Sequence, residues 1–246
     1  MMITMTRGEA RASVRTELDR EVRKIERSAC LSTQIACVPD AFTRKTFETG
    51  LCWLEDFIMK PHAELGRRGA VCPFAKPVHH EESLVFCLWD ATDLHYRDYL
   101  SILGKFPDLY LRLLDSAKAD SRLFSLCVFV RGLDEAQFYQ YIDEAHALLK
   151  PAFMDAGLML GEFHPLSVTK GAHSETFRPM RSSQPAFVVR AMSSHDALFI
   201  DRESSADEVR LRELRNYRSW VGENLPEAEV ARIEKRIAEL GAAGSA

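Results

Sequence analysis

The stretch GRRGAVCPFAKPVHH, residues 66–80, sets Cys72 directly before Pro73, with Arg67 and Arg68 upstream and His79 and His80 downstream. Gly69 and Pro73 predict a turn around the sulfur. Cations close to a cysteine favour its thiolate, which is both the nucleophile and the metal ligand. The plain alternative is a buried loop-corner thiol, since free cysteine packs as a small hydrophobe.

Two further stretches carry residue types that are costly to place idly. GEFHP, residues 161–165, puts Glu162 and His164 on one side of an extended chain, with Phe163 on the other. An imidazole at a strand end behind an acid suits a general base or a ligand, and equally a histidine tied to backbone. GAHSETFRPMRSSQP, residues 171–185, carries His173, Arg178, Arg181 and Ser182. Guanidinium forks with hydroxyls suit a carboxylate or phosphate, and the competing reading is a solvated loop. HHEES, residues 79–83, reads as a polar lead-in to a strand, because no second-ligand spacing follows. His146 likewise sits on a predicted helix with no ligand partner four residues away.

The elements that must position these groups follow from periodicity. Apolar runs over 83–91, 123–132, 158–166 and 186–192 predict four strands. Helical spacing covers 41–61, ending at Pro61, and 94–117, broken near Pro107. The clearest helix spans 134–157, with Asp134 as N-cap and Gly157 as stop. A loop of about twenty residues separates the last two strands, a length usually functional or disordered. The expected fold is α+β (or α/β): one small sheet of about four strands flanked by helices. Residues 1–45 read as a helical N-terminal arm, 46–202 as the globular domain, and 203–246 as a helical extension.

Composition narrows the class. The chain has 246 residues, 46% hydrophobic and 28% charged, enough apolar side chain for a full core. A net charge of −4 gives no basic footprint for nucleic acid. No run of about 18 apolar residues offers a membrane span. The N-terminus lacks the apolar centre of a secretory signal, so a reducing, cytoplasmic location is expected. The six cysteines are then thiols, and no C-x-x-C pair occurs. Cys87 and Cys127 lie inside apolar runs and read as core filler. Arginines gather in the candidate segments, including Arg190, which favours a small anionic ligand over a polyanion. The amphipathic ends allow a homodimer.

GRRGAVCPF, GLMLGEFHP and FRPMRSSQP together resemble a bacterial family described as domain of unknown function 6875, over roughly residues 50–202. Its blocks read Gly-Arg-x-Gly-x-Val-Cys-Pro-Phe, Gly-Leu-Met-x-Gly-x-Phe-His and Phe-Arg-Pro-x-Arg-Ser; Ser183 stands where the family pattern has proline. A more distant set of small bacterial proteins is similar in its Cys-Pro-Phe-Ala-Lys-Pro block. The resemblance implies that Cys72, His164, Arg178 and Arg181 travel together, but it implies no mechanism.

Three functions compete. In a haem-thiolate oxidoreductase, Cys72 would ligate the haem iron. Arg178 and Arg181 would then hold propionates, and Phe74, Phe163 and Met159 would line the ring. In a cofactor-free covalent catalyst, Cys72 is nucleophile and His164 base, with Arg178 and Arg181 on a substrate carboxylate or phosphate. Arg68, Phe74, Glu162, His173 and Ser182 complete the expected site in either case. The third reading is a non-catalytic metabolite-binding or assembly protein.

Overall fold

The computed structural model describes residues 7–171, 174–203 and 205–243. Its strands are β1 (Cys30–Leu31), β2 (Leu84–Asp90), β3 (Ser125–Arg131), β4 (Leu158–Phe163) and β5 (Ala186–Ala191). They form one five-stranded sheet in the order β1-β2-β3-β5-β4. β2 and β3 run parallel; every other neighbouring pair is antiparallel. The fold is α+β, as expected, with one more strand than the pattern revealed. β1 has only two residues, too few to show alternation.

The helices are α1 (Arg7–Arg27), α2 (Ala41–Trp53), α3 (Ala75–His80), α4 (Tyr96–Leu103), α5 (Phe106–Ala117), α6 (Ala145–Asp155), α7 (Asp207–Val221) and α8 (Glu227–Ala243). Pro107 sits in the first turn of α5, where its missing N–H costs nothing. Asp134 makes a capping box with Gln137. The single helix expected over 134–157 is instead a 3₁₀ turn, a π turn (Tyr139–Glu144) and then α6. Another π turn, Leu54–Ile58, continues α2. The Cys72 stretch is not loop throughout, because His79 and His80 form the last turn of α3 rather than a lead-in to β2. His79 Nδ1 meets Ser32 Oγ at 2.8 Å.

β2 and β3 are apolar on both faces because both faces are covered. Val85, Cys87, Trp89, Val128, Val130 and Val189 pack under α1, α4, α5 and α6. Leu84, Phe86, Cys127, Phe129 and Ala186 face the opposite way, toward α2, α3 and the Cys72 turn. Each fully buried Phe contributes roughly 1.5–3 kcal/mol. Cys87 and Cys127 are fully sealed, and burial pushes both thiols up, out of the reactive range. Val22 and Ile25, from the expected N-terminal arm, belong to the main core. α7 and α8 close a third cluster on Met154 and Met159. Among the described residues no helix is long and apolar enough to cross a membrane.

Candidate functional site

The three motif blocks meet at the β4–β5 end of the sheet. His164 N–H donates to Met180 O at 3.3 Å, and Ser182 N–H donates to His164 O at 3.5 Å, joining the second block to the third. The segment before the first block joins as well. Glu64 accepts from Ser174 Oγ at 2.6 Å and from Thr176 Oγ1, and those bonds hold its carboxyl below the usual range. His62 stacks on Phe177 at 4.2 Å. Trp53 Nε1 donates to Arg181 O at 3.0 Å.

The reactive groups, however, divide across the sheet. Leu158, Leu160, Glu162 and His164 recur at period two and face α6 and the π turn before it. His164 is 3% exposed, and its Nε2 donates to Asp143 at 3.1 Å. Its Nδ1 has no hydrogen-bond partner among the described residues. His146 Nε2 lies 3.0 Å from Leu160 O and 3.3 Å from a Glu162 oxygen. Two histidine–carboxylate pairs therefore cross between β4 and the helix it packs on. The expectation that Cys72 and His164 share one pocket is corrected: odd and even positions of a strand look in opposite directions. Cys72 and Phe163 both border the core cluster on the other face, which His164 does not share.

Cys72 is half-buried, and its N–H donates to Ile58 O at 3.0 Å, where the first π turn ends. Such turns often mark functional positions. Gly69, at φ +99°, lets the preceding loop bend back, and Arg67 Nη2 caps Val71 O at 3.0 Å. Cys72 lies close enough to Arg190 to contribute to the charge environment of the guanidinium. Its guanidinium lies 4.7 Å from the centroid of the Phe74 ring, and His195 meets the same ring edge-on at 5.5 Å. Asp196, fully buried, holds Arg190 with both oxygens at 2.9 and 2.5 Å. Burial works against the Arg190 charge, yet the Asp196 bonds outweigh it and raise the pKa.

The arginines expected to bind an anion are otherwise engaged. Arg178 Nη1 donates to Glu175 O at 2.7 Å and Phe177 O at 3.2 Å; Arg181 Nε donates to Ser167 O at 3.0 Å. Ser182 Oγ is spent on Gln184 O at 2.6 Å. These side chains brace their own loop. Arg68 is exposed; its carbonyl accepts from Arg67 Nη1 at 3.2 Å, and its side chain makes no hydrogen bond among the described residues. His173 lies outside the described residues. Arg190 was noted in the sequence only as one arginine among several, and its place in the apolar run AFVVRAM was the usable signal. Asp196 lay in a Ser193-x-x-Asp196 capping box. Asp143 had no signal, because the π turn shifts the helical register that sets its direction.

These positions do not fit haem. The Phe74 face is covered by Arg190 and its edge by His195. Phe163 packs on Trp53 at 5.3 Å, and Met159 belongs to the α7–α8 cluster. Phe74 and Phe163 border one cluster, whereas Met159 is engaged by α7 and α8 and the propionate arginines are turned to backbone. Among the described residues no group of three His, Cys, Asp or Glu could hold a metal ion.

No curated protein and no solved structure matches the chain. A family model, domain of unknown function (DUF6875), matches residues 47–232, from α2 into α8. The match spans more than half of the sequence and all three motif blocks, and the chain belongs to that family.

Proposed function

We propose that the chain is a small-molecule enzyme whose reactive group is the Cys72 thiol, acting covalently on a substrate that carries a carboxylate or phosphate. The observation that carries this reading is a half-buried sulfur pinned through its backbone close to Arg190. Arg68, free on the same loop, is the anchor for the substrate anion. His195, at the Phe74 edge, is the imidazole on this face suited to carry protons. The sulfur–carbon bond forms as the bond to the leaving group breaks, and the leaving group takes the thiol proton; water then cleaves the sulfur–carbon bond, its hydroxyl going to the substrate carbon and its proton back to sulfur. The misfit to haem favours this cofactor-free form over thiolate ligation.

Alkylation followed by mass spectrometry tests the reading. Cys37 and Cys52 are exposed and Cys72 is not, so accessibility alone ranks Cys72 behind them. The expected result is the reverse, with Cys72 labelled first at neutral pH and about tenfold more slowly in Arg190→Met. Labelling of Cys72 no faster than Cys37 overturns the proposal. A Soret band that disappears in Cys72→Ala restores the haem reading.

A further inference from the structure

A polar cleft lies away from the motif blocks, at the carboxyl ends of the parallel pair β2 and β3. A cleft of about 490 Å³ opens there between α1, the start of α2 and the strand ends Asp90 and Arg131. It adjoins a groove of about 700 Å³, sharing Lys24, Ser28, Asp40 and Thr43 with it. These sizes suit small molecules, and the carboxyl ends of parallel strands are where open α/β sheets take ligands.

The wall has both signs of charge. Glu21, Asp40 and Asp90 face the same cleft as Lys24 and Arg131. Glu21 pairs with Lys24 at 2.6 Å, and Asp90 pairs with Arg131. A simple anion entering here meets three carboxylates; a simple cation meets an ammonium and a guanidinium. A ligand carrying both charges complements both sets.

The pairing also leaves specific atoms unspent. Arg131 gives only Nη2 to Asp90, so Nε and Nη1 have no hydrogen-bond acceptor among the described residues. Asp40 takes both Thr43 donors on Oδ2, each at 2.7 Å, which leaves Oδ1 for another donor. Phe42, 51% exposed, offers an apolar surface between them, with Arg131 over its ring at 4.9 Å.

We infer that this cleft binds a zwitterionic ligand of the amino-acid type, its carboxylate on Arg131 and its ammonium on Asp40. The site is separate from Cys72 and stands whether or not the thiol is catalytic.

The test is titration of the full chain with the twenty L-amino acids, by saturation-transfer NMR and then calorimetry. At least one binds, and its amine-only and acid-only counterparts (isopentylamine and 4-methylpentanoate in the case of leucine) bind at least about tenfold more weakly. Asp40→Asn keeps the helix cap, because asparagine caps as well as aspartate, but removes the charge. It weakens binding about tenfold, as Arg131→Gln does, while Cys72→Ala leaves binding unchanged. The inference is overturned if no amino acid saturates by about 10 mM, if the single-charge halves bind as well as the whole, or if Asp40→Asn has no effect.

Discussion

Replacing Asp196 by alanine is the sharpest probe of how the Cys72 face is held. Asp196 is fully buried, and the side chain of Arg190 is only 18% exposed. The carboxylate accepts two bonds from Arg190 and one from Ser193 N–H at 2.7 Å. Removing one member of a buried ion pair strands the other, at about 3–5 kcal/mol. Water reaching Arg190 through its exposed fraction places the expected loss at the lower end, about 3 kcal/mol. That is a large share of a typical stability of about 5–15 kcal/mol. Asp196→Asn keeps an acceptor for Ser193 and for one guanidinium N–H, so it loses roughly half as much. Replacing both partners, as Arg190→Met with Asp196→Leu, recovers most of the loss, since no charge is left buried. Urea unfolding followed by far-UV circular dichroism reads all four proteins. A loss below about 1 kcal/mol for Asp196→Ala, or equal losses for alanine and asparagine, refutes the buried-pair reasoning.

Three further outcomes are expected. Asp143→Ala leaves both nitrogens of His164 without partners in a 3% exposed site, lowering stability by about 1–3 kcal/mol in urea titration while Cys72 labelling stays unchanged. Gly157→Ala destabilises by about 1–3 kcal/mol, read as a lower melting midpoint, because φ is +74° and the new Cβ would come within 2.8 Å of Trp220. Burial raises Tyr110 from 10.0 to about 12 and holds Tyr99 well above its ordinary value. A raised folded value means that their contribution is intact below pH 10.0 and is lost as pH climbs toward 12. Denaturation midpoints measured across that window fall steeply, and less so in Tyr99→Phe.

The sheet was legible because β2, β3, β4 and β5 are apolar runs bounded by turn residues, and their two-residue period survives any packing. The same period correctly paired Glu162 with His164 on one side. It could not say which face of the sheet each block would meet, and that choice separated Cys72 from His164. The π turns were invisible because one inserted residue leaves apolar spacing nearly unchanged while rotating everything after it. Arg178 and Arg181 misled for a different reason. A long loop has many carbonyls to satisfy, and a guanidinium beside them serves the loop as readily as a ligand. Lone acids such as Asp40 and Asp143 carry meaning only through what the fold brings opposite them.

The last strand in the chain occupies an interior slot: β5 lies between β3 and β4, and β4 touches no other strand. A nascent chain emerging from the ribosome can therefore dock β2 on β3 early, yet must hold β4 without a neighbour until residue 191 has left the exit tunnel. Insertion of that strand both completes the sheet and draws the 164–185 connection into place, so the motif-bearing loop is built late, ahead only of the docking of α7 and α8 on Met154 and Met159. Slowing translation just after β4 would prolong exposure of an unpaired edge and favour misassembly at that point.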